Sequence, residues 1–240
     1  MNRLLRNIAA FAMALTALCT SAQLNDKVLN RPYADLKRVH LGFSVGVAMH
    51  NLSLTNNGTV SADGNAWFGE VPSLSPGFTV GVLADLRLSN HLNLRLSPGM
   101  QFGSKTVKWR DAMNPDAALS SQNVKSTFVV LPLDLKVSAL RYRNVRPYVV
   151  GGVMGVLDVS KRRREQLQFN NTDAMLTIGF GCDFYMQYFK FCPEVKFCFG
   201  LSNILKRNRP DLEDDPAMQA FTHSLDKVQN NMMIITFYFE

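Results

Sequence analysis

The chain has no apolar run long enough to cross a membrane as a helix, which takes about 20 residues. Its longest, Ile8 to Leu18, falls short, and no later stretch shows a helical period of apolar residues. Cysteine is scarce: four in 240 residues, with Cys19 near the start and an odd three, Cys182, Cys192 and Cys198, beyond it. Cys192 and Cys198 read as one strand, about 20 Å apart at strand rise, so the sequence offers no disulfide framework. The four histidines, His40, His50, His91 and His223, lie at strand ends or in loops, without the short spacings that metal ligation needs. No GxSxG or comparable signature marks a nucleophile. Basic residues outnumber acidic ones by 26 to 19 but are scattered, so no nucleic-acid face is expected. These absences leave no catalytic residue, metal or cofactor to name.

What is present begins with MNRLLRNIAAFAMALTALCTSAQ, in which Arg3 and Arg6 precede the apolar run and small residues follow to Ala22. This is the pattern of a secretory signal peptide over residues 1–22. A lipoprotein signal ending at Cys19 competes with it, but Leu18 is bulky where such signals want a small side chain. Removing the two arginines leaves 24 basic against 19 acidic residues.

From His40 onward the chain alternates. In HLGFSVGVAMH, Leu41, Phe43, Val45, Val47 and Met49 take one face and Gly42, Ser44, Gly46 and Ala48 the other. That is the period of a strand with one apolar face and one small, polar face. The pattern recurs over Phe78–Leu88, Leu92–Phe102, Val129–Val137, Tyr148–Val156 (the weakest), Leu176–Tyr185, Lys190–Gly200 and the closing MMIITFYFE. Eight strands of about ten residues match the number and spanning length of a small transmembrane barrel.

The connections alternate as well. Short ones are expected at Ser89–His91, around Arg141–Asn144 (seven to ten residues) and around Tyr188; long ones at Asn51–Pro76, Ser104–Phe128, Leu157–Met175 and Leu201–Asn231. Outer-membrane barrels place short turns on the periplasmic rim and long loops outside. The expected architecture is therefore all-β, an eight-stranded antiparallel outer-membrane barrel over residues 40–240, preceded by a periplasmic segment over 23–39. The apolar face would meet lipid. Eleven of the fifteen glycines, at 42, 46, 77, 81, 99, 103, 151, 155, 179, 181 and 200, are assigned to the inward face, where a narrow lumen favours small residues. A soluble sandwich or lipocalin-like barrel would invert the two faces.

The inward face also carries charge. A tight turn at Ser89–His91 sets Asp85 opposite Arg95, and Asp134, Lys136, Asp183, Lys190, Glu194 and Lys196 share the lumen. Unpaired buried charge is costly, so mutually neutralising ion pairs involving Asp85, Arg95, Asp183, Glu194 and Lys196 are expected. A polar conduit is the functional alternative. Cys182 is assigned to lipid and Cys192 to the lumen. His50 beside a serine would be the starting point for a lipid hydrolase, and the loop sequence KRRRE, Lys161 to Glu165, could bridge lipid phosphates.

The segment NRPYADLKRVHLGFSVGV, Asn30 to Val47, resembles the start of PorT family proteins, small outer-membrane barrels of Bacteroidetes linked to type IX secretion. The matching residues are Asn30, Pro32, Ala34, Asp35, Lys37, His40, Gly42, Phe43 and Gly46; RPY at Arg146–Tyr148 and ITFYFE at Ile235–Glu240 also suit that family. The chain departs from many barrels in ending on Glu240, with the aromatic Phe239 one place earlier. The resemblance implies a non-enzymatic accessory or assembly component of the secretion system. Its partners would be membrane lipid and secretion proteins at the periplasmic face, the barrel itself monomeric. A surface adhesin or lipid-binding barrel is the alternative. Before the first strand, Arg31, Tyr33 and Asp35 surround Pro32, and tyrosine and arginine are frequent interface anchors. These three are the candidate docking residues; a plain tether, or a plug folded into the lumen mouth, is the competing reading of the segment.

Overall fold

The computed structural model describes residues 29–56, 67–70, 75–111, 120–160, 170–204 and 225–240. The signal segment and the KRRRE loop lie outside the described residues. A short 3-10 turn, Ala34–Leu36, precedes the strands β1 (Val39–Asn56), β2 (Trp67–Glu70), β3 (Ser75–Arg87), β4 (Leu92–Leu96), β5 (Gly99–Asp111), β6 (Ser120–Ser138), β7 (Val145–Asp158), β8 (Thr172–Tyr185), β9 (Lys190–Gly200) and β10 (Leu225–Phe239).

These ten segments form eight staves. β1 pairs with β10 on one side and β3 on the other, which closes the sheet into a barrel without an edge. β4 and β5 are one stave broken at Ser97–Pro98: the register against β3 runs unshifted from Ala84↔Leu96 to Gly81↔Gly99. Pro98 has no N–H for the ladder, although its carbonyl still accepts from Val82 N at 3.0 Å. β2 pairs with the far end of β5, Trp67↔Asp111 to Glu70↔Lys108.

Strands on the long-loop side outrun the alternation. β5 continues to Asp111 and β6 starts at Ser120, so most of the loop expected over Ser104–Phe128 is paired strand, and β1 likewise extends to Asn56. Beyond the apolar band a strand has no lipid face to supply, so the ladder bonds persist while the two-residue period that reveals a strand fades. The β6–β7 connection is six residues, Ala139–Asn144, shorter than the expected seven to ten.

The outward face is apolar all round: Leu41, Val82, Leu131, Leu135, Val149, Val153, Ile178 and Phe180 are exposed. In water so continuous a belt would drive association; in a bilayer it is solvated by acyl chains. At the short-turn rim Phe239 stacks on Phe43 with centroids 5.0 Å apart, and Phe191 on Phe237 at 5.8 Å, an aromatic girdle of the kind found at membrane interfaces.

β7 corrects the glycine assignment. Arg146, Tyr148, Val150, Met154 and Val156 are buried, so the even-numbered residues of this strand face inward. Gly151 pairs with the exposed Leu135 and Ile178, and Gly155 with the exposed Leu131, so both face lipid; Gly152 is the inward one. A Cβ on Gly152 would fall 2.1 Å from Leu133 O and 2.7 Å from Asp134 Cα, which only glycine avoids. The sequence misleads here because both faces of β7 are largely apolar.

Candidate functional site

The lumen is built in two tiers. On the short-turn side the inward positions carry charge, centred on Arg95 of β4. Its Nε and Nη2 donate to Asp85 Oδ2 at 3.3 and 3.1 Å, and Nη1 donates to Glu194 Oε2 at 2.8 Å. The β3–β4 hairpin places Asp85 directly opposite Arg95, and Asn93 Nδ2 fills the other Asp85 oxygen at 2.6 Å. Tyr148 and Tyr238 flank the guanidinium with ring centroids 5.3 and 4.9 Å from its carbon, and both hydroxyls donate to Glu194.

Around this centre the remaining charges close into a network. Lys196 donates to Asp134 and lies 3.2 Å from Glu194, while Thr177 Oγ1 donates to the free Asp134 oxygen at 2.7 Å. Lys136 Nζ bonds both oxygens of Asp183 at 2.8 and 2.7 Å, and Lys190 bridges Asp183 to Glu240. Glu240 also sits 3.7 Å from Arg95. The sequence reading overlooked Glu240, Tyr148 and Tyr238 as lumen residues. Parity along β10 could have found two of them, since Ile234, Thr236, Tyr238 and Glu240 fall on one face. These carboxylates and cations are buried, and each has a counter-charge within reach, the condition under which buried charge is tolerated.

Toward the long loops the inward face changes character. Ala48, Phe128, Val130, Met154, Val156, Met175, Cys198, Met232 and Ile234 pack together as one buried apolar cluster. Where the two tiers meet, Ser44, Thr79, Gln101, Met154 and Lys196 border a cavity of about 30 Å³, room for a water or two. His50 belongs to this upper region. It is 1% exposed, lies 5.6 Å from the Phe128 ring, and rests against Gly77 and Gly103, where a Cβ would come within 2.9 Å of the imidazole. It faces the lumen and not the lipid. Cys192 and Cys198 are buried inward and Cys182 is half-buried on the lipid side.

The segment before β1 crosses the short-turn mouth as a strap. Asn30 N donates to Asn144 Oδ1 at 2.9 Å and its Nδ2 to Tyr185 O at 3.0 Å. Arg31 adopts a left-handed φ of 50° and donates to Glu240 O at 3.0 Å. Asp35 accepts from Arg146 Nη1 at 3.2 Å, from Arg141 Nη1 at 3.4 Å and from the Tyr185 hydroxyl. Partial burial works to raise the Asp35 carboxyl, but the Tyr185 hydroxyl and the two guanidiniums outweigh it and hold it below the usual carboxylate range. His40 Nε2 lies 2.8 Å from Ala34 O. Of the three candidate docking residues, Arg31 and Asp35 thus bond the barrel mouth, while Tyr33 is 74% exposed.

The pattern of the outer membrane protein beta-barrel domain family matches residues 21–206. The chain belongs to that family. It is an outer-membrane protein. Among solved structures the barrel is similar to the outer membrane protein OprG of Pseudomonas aeruginosa, at 13% identity over 84% of this chain and 94% of that one, with a TM-score of 0.45. It is also similar to the N-terminal barrel domain of Pseudomonas aeruginosa OprF, at 13% identity over 81% and 96%, TM-score 0.35. A third similar structure is the attachment invasion locus protein Ail of Yersinia pestis, in complex with the heparin analogue sucrose octasulfate, at 11% identity over 85% and 100%, TM-score 0.34. No curated protein matches the chain in sequence.

Proposed function

We propose that this outer-membrane barrel is a non-enzymatic accessory or assembly component of the type IX protein secretion system, working through its short-turn rim and not through its lumen. The observation that carries the reading is the strap. Three of the residues on which the PorT resemblance rests hold the strap in place: Asn30 and Asp35 tie it to the mouth, and His40, at the start of β1, bonds its 3-10 turn. The packed lumen below and above the 30 Å³ cavity supports a role without conduction. The strap leaves Tyr33 and Leu36 exposed on a surface fixed to the barrel, and Leu88, Leu140 and Tyr142 of the short-turn connections are exposed as well. A preorganised apolar surface with an aromatic anchor suits a protein partner, because little ordering entropy is left to lose on binding.

The test separates the strap's two faces. Tyr33→Ala with Leu36→Ala should leave the heat-modifiable mobility of the folded barrel unchanged and abolish secretion of sorting-domain proteins. Normal secretion from that variant would end the proposal. Intact secretion with lost surface attachment would move the function to the long-loop rim, as an adhesin.

A further inference from the structure

Beneath the strap, between it and the charged tier, lies a small cavity of about 10 Å³, partly open at the rim, with an almost wholly polar lining. Arg87, Lys136, Arg146 and Lys190 line it against two carboxylates, Asp35 and Asp183. Most of these charges are already matched. Among the described residues, ion pairs join Arg95, Lys136, Arg141, Arg146, Lys190 and Lys196 to Asp35, Asp85, Asp134, Asp183, Glu194 and Glu240, six of each sign.

Arg87 is the surplus. Its half-exposed guanidinium donates to Leu36 O at 3.2 Å and to Asn90 Oδ1, neutral oxygens both, so among the described residues its positive charge enters the cavity wall without a carboxylate of its own. A second observation points to an occupant: Ser138, 3% exposed, lines the same space, and its buried hydroxyl has no hydrogen-bond partner. A buried hydroxyl left unsatisfied costs about 1–3 kcal/mol, so native structures usually fill such a position.

We propose that this vestibule binds one small monatomic anion of the halide class, held by Arg87 and the Ser138 hydroxyl. Size decides the class. A cavity of about 10 Å³ takes a single water-sized or monatomic occupant and excludes sulfate, phosphate and carboxylates. Charge decides between water and anion, since a halide neutralises Arg87 and accepts from Ser138 at once. The anion would also pin the strap, because Asp35 and the carbonyl acceptor Leu36 belong to it.

Anomalous diffraction at the bromine edge, on crystals of the full-length protein in sodium bromide, tests the site. A peak in contact with Arg87 and Ser138 is expected, and it should vanish in Arg87→Gln with Ser138→Ala while heat-modifiable mobility shows the barrel still folded. In solution the urea midpoint should be higher in sodium chloride than in sodium gluconate of equal ionic strength, and the difference should disappear in the same variant. Water alone in the cavity, equal midpoints in the two salts, or a bromide peak that survives in the variant as an adventitious ion only would each overturn the proposal.

Discussion

The two tiers of the lumen solve the same problem with opposite chemistry. On the short-turn side, Arg95 and its neighbours fill the barrel with charges that neutralise one another; on the long-loop side, Phe128, Met154, Met175 and Met232 fill it with apolar side chains. Both are packed, but they specify different things. An ion pair has one register in which its oxygens and nitrogens meet, so the charged tier fixes which residues oppose one another across staves. The apolar tier tolerates small shifts, since dispersion contacts are numerous and undirected. It contributes instead a section filled by apolar side chains, which solvate an ion poorly.

The largest expected effect belongs to the charged tier. Arg95→Met strands the Asp85, Glu194 and Glu240 carboxylates in a buried site and should cost about 3–5 kcal/mol in a urea refolding titration. Adding Asp85→Leu should recover only part of that loss, because two carboxylates still face the gap. Full recovery would reduce the network to a simple pair, and a loss below about 1 kcal/mol would mean that the site is wet.

Met154→Ala, in the apolar tier, should cost about 2–4 kcal/mol by leaving a cavity that the hydrogen-bonded wall cannot collapse to fill. The same titration measures it. A negligible loss would show that the upper tier is loosely packed and would remove the contrast.

Gly152→Ala sharpens the inside-outside assignment on which both tiers depend. With backbone 2.1 Å from the new methyl, it should cost about 1–3 kcal/mol, whereas Gly155→Ala, which meets nothing within 4 Å, should stay within about 0.5 kcal/mol. The reverse order would return Gly155 to the lumen.

The smallest effect concerns the strap. A carboxyl held below its unfolded value contributes stability that is fully present above that value and is lost as pH falls through the folded one. Asp35 is held below 3.8, so the strap should stay closed at neutral pH and loosen only below about pH 4, by about 1 kcal/mol. The mobility of a spin label at position 36 measures this. In Asp35→Asn the label should already be mobile at pH 7 and respond little to acid; a label equally fixed in both proteins would detach Asp35 from the strap's closure.

Much of the barrel was legible in the chain because a bilayer imposes a strict period. Each stave must alternate where lipid lies on one side only, and Leu41 to Met49 or Leu176 to Phe184 announce that directly. The alternation failed where its cause failed: above the membrane, where β5 and β6 continue unseen, and on β7, where Val149 and Val153 outside oppose Val150 and Met154 inside with no contrast between the faces. The Asp85 and Arg95 opposition followed from one tight turn, since a short hairpin leaves little freedom of register.

The sequence by itself determined the class of fold, the count of staves and, on every stave but β7, the face that meets lipid, since those depend on local period and turn length. Only the tertiary structure decided how the charges combine. Arg95 reaches Glu194 across 99 positions of chain, and Asp35 meets Tyr185 across 150, distances over which no local pattern carries information. Closure of the barrel brings β4, β7, β9 and β10 around one guanidinium, and the same closure turns a segment that reads as a free docking strip into a strap whose Arg31 and Asp35 face the barrel mouth and whose Tyr33 faces away.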